Sequence, residues 1–468
     1  MNHQTNARAP IEVDFVGHAT LLVRTADVNC LFDPVLFETF HEGLFEIYPP
    51  RTVRITEMPV PDMVVLTHRH NDHFDIRSLR ALPTRNHIVI PDDALLREVV
   101  QRIGFKEITV VRDWDTLLIG ETELLFTPSM LKVPEFGVLV RTRGASFWNQ
   151  VDTVIDMATV DRIAALEKHV SFLLAPWQPS FEAPLQYNKG MSFPAEAYIK
   201  LLKRAAAVSA RAMAPGACGF RHNGEYCWQD QLTFPVTRER FLQDFASQPG
   251  CRYVDRIAID PGDSVAVTPE GAFLKGDKLS WVNRSDTWDS KTLRFSPVLP
   301  SYGQRPTAKQ EGVQRADAAV ARVRALLQPF WASPKGVAAI ERSRAWQVVF
   351  QLEVAVEPSS QSFIHIDFRA HGLPSLVVGY TPFANANAYL TLCALERLLD
   401  GETSWDRLVH SGDYRTHSSV YAANGREVRL PPPPAVFDPL WNLFPYDELE
   451  RRSLELALTA PLDAEPTF

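Results

Sequence analysis

Short apolar runs recur through the first half of the chain, each bounded by turn residues, in the pattern of buried strands. Ile11 to Phe15, Thr20 to Arg24 and Asn29 to Phe32 predict three strands, the first two meeting at Gly17-His18-Ala19. Asp33-Pro34 should stop the third, because proline has no amide to give a ladder. Further strands are expected at Met63 to Leu66, His87 to Ile90, Ile108 to Val111, Thr116 to Ile119, Glu123 to Thr127, Gly137 to Arg141, Ser146 to Asn149, Val170 to Ala175 and Ala212 to Ala214. Helices are expected at Ile76 to Leu82, Asp93 to Ile103, Thr159 to Lys168 and Pro194 to Ala210. Strands and helices alternate over residues 11–270, which predicts an α/β fold with two sheets face to face and helices outside. Residues 37–60, rich in aromatics, proline and charge, read as an irregular insertion forming the wall or lid of a pocket.

The second half has a different texture. Val313, Ala316, Val320, Val323 and Leu327 recur at three- and four-residue spacing, one apolar face of a helix over Ala308 to Leu327. Trp346 to Val356, Phe363 to Phe368 and Ser375 to Tyr380 read as strands, and Ala384 to Leu399 as a helix ended by Asp400-Gly401. This is an α+β unit. The proline-bearing stretch from Ser285 to Pro306 reads as a linker, giving domains over 1–285 and 307–468.

Composition narrows the function classes. A chain of 468 residues is long for one core, which agrees with two domains. A net charge of −8 without Lys/Arg blocks argues against a nucleic-acid surface. No apolar run reaches the roughly 18 residues of a membrane span. Met1 to Pro10 lacks the apolar core of a signal peptide. Five scattered cysteines suit a reducing compartment, so a cytoplasmic protein is expected. Cys218 and Cys227 read as small buried residues rather than ligands.

The candidate chemistry is concentrated after the Met63 to Leu66 run. His68, His70, Asp72 and His73 follow within a few residues, on a strand-to-helix loop that aims several side chains inward. Imidazole and carboxylate suit zinc or iron.

Phe15-Val16-Gly17-His18-Ala19-Thr20, Leu31-Phe32-Asp33-Pro34 and Thr67-His68-Arg69-His70-Asn71-Asp72-His73 together resemble the metallo-β-lactamase superfamily. The similarity falls in the branch of ascorbate-lactonase-like proteins and N-acylphosphatidylethanolamine phospholipase D. Later segments (Trp148 to Thr153, Ala214 to Phe220 and Thr403 to Leu408) resemble CMP-N-acetylneuraminate hydroxylase without its Rieske domain. The resemblance implies an αββα sandwich followed by a smaller α+β domain. It implies metal ligands at His68, His70, Asp72 and His73, a bridging carboxylate at Asp152, and a catalytic place for Asp72.

Two departures from the hydrolase pattern matter. The third histidine of dinuclear hydrolases is missing from Phe126 to Glu135, and the last is missing from Pro215 to Gly219. His222 and Glu225 lie just beyond and could substitute, though at a spacing wrong for a direct match, which places His222 behind the metal or in the substrate pocket. His68, His70 and Asp152 are then two histidines and a carboxylate, the set used by non-haem iron(II) oxygenases. Asp72 and His73 with Asp152 form a second position, and Glu135 is a candidate fourth ligand. His18 is placed at the edge of the pocket, and Asp33 behind the metal loop, orienting a ligand histidine. Trp177, Phe181 and Tyr187 either pack their loop or touch substrate.

The expectation is an oxygenase or hydroxylase with one or two irons, acting on a polar small molecule and drawing electrons from a separate donor protein, a reducing co-substrate or the substrate itself. The alternative is a zinc hydrolase of a phosphodiester or lactone.

Overall fold

The computed structural model describes residues 10–179, 193–230, 236–285, 309–357, 360–424, 427–432 and 436–462. The chain forms two compact units, Met1–Ser180 with Phe193–Ser296 and Ala460–Phe468, and Phe181–Ser192 with Pro297–Thr459. Apart from Ser285, the expected linker lies outside the described residues, as do Phe181 and Tyr187. No helix among the described residues is long and apolar enough to cross a membrane.

The first unit is the expected pair of sheets. One has eight strands in the order Gly271–Leu274, Ser264–Thr268, Ile11–Gly17, Thr20–Arg24, Asn29–Phe32, Met63–Val65, His87–Pro91 and Ile108–Val111. The other has seven, ordered Thr116–Ile119, Thr122–Pro128, Phe136–Thr142, Ala145–Asn149, Val170–Ala175, Ala210–Pro215 and Asp255–Arg256. Alternation along each strand splits its side chains between two cores. Leu124, Val138, Phe147, Phe172 and Ala212 point inward to meet Val13, Leu21, Phe32 and Val65 of the first sheet. Their neighbours Leu125, Leu139, Trp148, Leu173 and Met213 point outward, against Val160 and Ile163 of helix Met157–Leu166 and Leu202 of helix Ala195–Ala207.

Strand direction then locates the chemistry. From Asn29–Phe32 through Met63–Val65, His87–Pro91 and Ile108–Val111 the pairing is parallel. It is parallel again from Ala145–Asn149 through Val170–Ala175 to Ala210–Pro215. Asp33, the loop 66–75, Asp152 and the loop 216–219 all follow the carboxyl ends of such strands. Open α/β sheets bind their ligands there.

Residues 37–60 are more ordered than expected. Thr39–Phe40 and Phe45–Ile47 join Phe220–His222 in a three-stranded sheet, and Arg51–Val53 pairs with Val282–Arg284. Partners roughly 170 to 230 residues away leave no local periodicity to read. The buried Arg51 guanidinium donates to the carbonyls of Val16, Val35 and Phe37, tying this segment to the strand before His18.

The second unit holds a five-stranded sheet ordered Leu376–Val378, Ser360–Asp367, Val349–Glu357, Ala386–Thr391 and Tyr414–Ser418. Its core joins Ala316, Val320, Val323 and Leu327 of helix Lys309–Ala332 to Phe350, Leu352, Val354, Ala388 and Leu390. Val313 is exposed, so the apolar face begins one step later than expected. The helix expected over Ala384 to Leu399 is a strand, Ala386–Thr391, followed by a helix, Leu392–Asp400. Alanine-rich composition favours a helix, but parallel pairing with Val349–Glu357 buries Ala386, Ala388 and Leu390 in alternation, and that tertiary gain wins. Helix Pro334–Ala345 was not anticipated.

Candidate metal centre

The loop after Met63–Val65 is shaped by Asp33. The Asp33 carboxylate accepts the Thr67 amide at 2.8 Å and the Thr67 hydroxyl at 2.7 Å. The same Oδ2 lies 2.9 Å from His73 Nδ1. A carboxylate accepts only, so His73 Nδ1 carries the proton and its Nε2 faces the site. Thr67 Oγ1, having given its proton to Asp33, accepts from His68 Nδ1 at 3.0 Å. His68 Nε2 is therefore also left with a lone pair. Asp33 thus stands behind the loop, bonded to Thr67 on one side and His73 on the other.

Three overlapping groups result, each with its nitrogen and oxygen atoms within 4.8 Å of one another. They are His68 with His70 and Asp72, His68 with His73 and Asp152, and His18 with Asp72 and His73. The five expected ligands thus converge from two sheets. Asp152 is aimed by Val151, a β-branched residue at a φ of 52°, whose amide is held by the Asn149 side chain. His18, Asp33, Ala217 and Cys218 also have positive φ. Left-handed backbone without glycine is costly and collects at functional sites.

The electrostatics suit a cation. Burial, with His73 and His70 adjacent, holds the His68 imidazole well below its ordinary range, hence neutral. Burial opposes charge on His73 too, but Asp72, Asp152 and Asp33 outweigh it and push that imidazole well above. Burial would raise Asp72, yet His73 and His18 bring it well below the usual carboxylate range. His73 Nε2 stands 3.0 Å from Asp152 Oδ2. Two acceptors that close need a cation between them, either a ring proton or a metal ion. His68 Nε2 is buried and bonded to nothing among the described residues. Such an orphan is rare, and a metal ion would satisfy it. The donor set fits a metal.

The remaining expectations fare unevenly. Glu135 is buried and accepts the Ser129 hydroxyl. Burial pushes its carboxyl up, and the charges of Asp152 and His73 also act on it, which puts Glu135 beside the centre though not within the three groups. His18 Nε2 lies 3.2 Å from Asp72 Oδ2, inside the centre rather than at its edge. His222 is turned elsewhere; its Nδ1 meets Asp230 at 2.9 Å and its ring packs on Phe45. Cys227 is exposed and Cys218 half-buried, so neither is the buried residue expected. Trp177 is buried and donates to the Ala217 carbonyl, packing its loop down. Sequence reasoning gave no part to Thr67, Ser129 or Gly219, whose partners are visible only in the folded chain.

Residues 12–147 match the family described as the beta-lactamase superfamily domain. Among curated proteins, 127 residues are 28% identical to a carrier-protein-dependent 4-amino-L-phenylalanyl 3-hydroxylase of Streptomyces venezuelae, 25% of this chain and 23% of that one. A further 119-residue match is 29% identical to the UPF0173 protein YddR of Bacillus subtilis, 22% of this chain and 44% of that one. The chain thus spans under half the length of either relative. Among solved structures, a diiron β-hydroxylase from Streptomyces venezuelae matches at 19% identity and a TM-score of 0.35 over 46% of each chain. An isothiocyanate hydrolase from Delia radicum gut bacteria matches at 17% and 0.40, over 55% of this chain and 99% of that one. The first unit thus has a metallo-β-lactamase fold, and its residues 12–147 are the part that matches a beta-lactamase superfamily domain.

Proposed function

We propose that the first unit is the catalytic domain of a non-haem iron oxygenase or hydroxylase acting on a polar small molecule. One observation carries the reading: the folded loops bring three histidines, His68, His70 and His73, together with two carboxylates, Asp72 and Asp152, and histidine is missing from the two later loops where hydrolases of this fold carry it. The family resemblance, rather than the three groups of the structure, supplies the partition: His68, His70 and Asp152 would hold one ion, and Asp72 and His73, sharing Asp152, a second, with Glu135 alongside. Catalytic zinc sites keep three firm protein ligands and a water, whereas two histidines and a carboxylate with open positions is the arrangement of non-haem iron(II) oxygenases. The partial match to a hydroxylase supports the same side.

Iron would supply the redox chemistry that no side chain here can provide. The chain's own part is to hold it: Asp33 and Thr67 fix the tautomers of His73 and His68, and Val151 aims Asp152. Asp72 would serve both as ligand and at the substrate. Electrons would come from a separate donor protein or a reducing co-substrate. The second reading, a zinc hydrolase of a phosphodiester or lactone, is favoured by the His68-to-His73 loop, which hydrolases of this fold share.

The test is elemental analysis of protein purified without added metal, paired with oxygen uptake in iron(II) and reductant. Iron with oxygen consumption is expected. Two zinc ions, no oxygen uptake and cleavage of a generic phosphodiester or lactone would overturn it.

A further inference from the structure

His18 differs from its neighbours in the way its ring is wired. His68 and His73 set Nδ1 against an oxygen acceptor, which leaves Nε2 a lone pair for a metal. His18 sets Nδ1 against a donor, the Gly219 amide, at 3.1 Å. That nitrogen must accept, so a neutral His18 keeps its proton on Nε2. Were Nε2 the ligand, Nδ1–H would face N–H at that distance.

The wiring is built into the fold. A Cβ on Gly219 would lie 2.9 Å from both the Cα and the nitrogen of His18, so only glycine lets this loop come so close. The Gly219 carbonyl is anchored by the Tyr48 amide at 2.8 Å. Phe220 packs edge-on against the His18 ring at 5.0 Å, and Phe40 lies nearly parallel to it at 6.3 Å. The ring cannot easily turn over. Its Nε2 is buried and, although Asp72 Oδ2 is near, makes no hydrogen bond of good geometry among the described residues.

We infer that His18 is not a third ligand of the second metal position but a fixed hydrogen-bond donor, offering Nε2–H to an oxyanion bound at the centre, a carboxylate or phosphate oxygen of the substrate. This rests on the metal-centre reading above.

The test uses the full chain with ¹⁵N-labelled histidine, metal-free and then loaded with zinc as a diamagnetic probe. Long-range ¹H–¹⁵N spectra, with His18 assigned from a His18→Gln variant, should show Nδ1 unprotonated and Nε2 protonated in both states. Elemental analysis should give His18→Gln and His18→Phe the metal content of the wild type. Inorganic phosphate should bind the zinc-loaded His18→Phe protein on the order of tenfold or more weakly, as loss of a charge-assisted bond predicts. His18→Gln, whose amide nitrogen can stand near Nε2, should recover part of that affinity. A His18 Nε2 that loses its proton on zinc loading, a lost metal equivalent in either variant, or unchanged phosphate affinity in His18→Phe would each overturn the inference. A wild type that takes up no metal would instead defeat the metal-centre reading, and the metal-free spectrum would still report the tautomer.

Discussion

Asp33 Oδ2 and His73 Nδ1 stand 2.9 Å apart, both fully buried, and this contact decides which nitrogen of His73 faces the centre. Asp33 ends one parallel strand and His73 follows the next, so the bond also fixes the loop between them. Partners of this kind typically change metal affinity by roughly 10–100-fold when removed.

Asp33→Asn is therefore expected to weaken metal binding by about that factor without unfolding the domain. The amide cannot accept from Thr67 and His73 as a carboxylate does. Chelator competition against wild type measures the change; equal affinities would remove Asp33 from its orienting role.

Gly137 lies on the strand Phe136–Thr142, between the two loops that deliver Glu135 and Asp152. A Cβ there would meet Thr127 Oγ1 at 2.7 Å and the Asn149 carbonyl at 3.0 Å. Gly137→Ala should cost about 1–3 kcal/mol, the usual range for overpacking. It should also lower metal content, because Asn149 leads into Asp152. Urea unfolding and elemental analysis read the two effects separately.

The ease of reading the sequence followed the range of the interactions. His68, His70, Asp72 and His73 announce themselves because all lie on one loop, and the apolar runs of the first unit stand out because its central strands are buried on both faces. Asp152 came only through family resemblance; its approach to His73 spans 79 residues. The tautomer of His18 depends on an amide 201 residues away, which no local pattern encodes. His222, beside the right loop in sequence, is captured by Asp230 and Phe45. In the second unit, Ala384 to Leu399 misled because alanine's intrinsic preference is helical while its partner strand lies some 35 residues upstream.

That correction can be checked by mutation. Ala388 is 4% exposed and Leu390 is fully buried, both on the core face of the strand, whereas Asn387 stands on the opposite face. Leu390→Ala should destabilise the second unit by about 2–5 kcal/mol, and Asn387→Ser should stay within about 0.5 kcal/mol. Comparable losses at both positions would argue against the alternation.

The last prediction concerns pH and a carboxyl far in sequence from the metal loop. Asp438 caps helix Pro439–Leu443 through the Leu440 amide and accepts the Tyr414 hydroxyl at 2.8 Å, while Trp441 donates to the same phenol oxygen. Burial pushes the Asp438 carboxyl up to about 6 from an ordinary value of 3.8, although both hydrogen bonds favour the charged form. The folded chain thus holds this proton more tightly than the unfolded chain does. Stability contributed by Asp438 is highest below about pH 4, falls as pH rises through the window up to about 6, and is level above it. At about 1.4 kcal/mol per pKa unit the change is on the order of 3 kcal/mol. Asp438→Asn keeps a capping oxygen but cannot titrate, so urea unfolding of the variant should lack that fall between pH 4 and 6. A wild-type-minus-variant difference that stays flat across the window, or that rises with pH, would show that the carboxyl is not held protonated by burial.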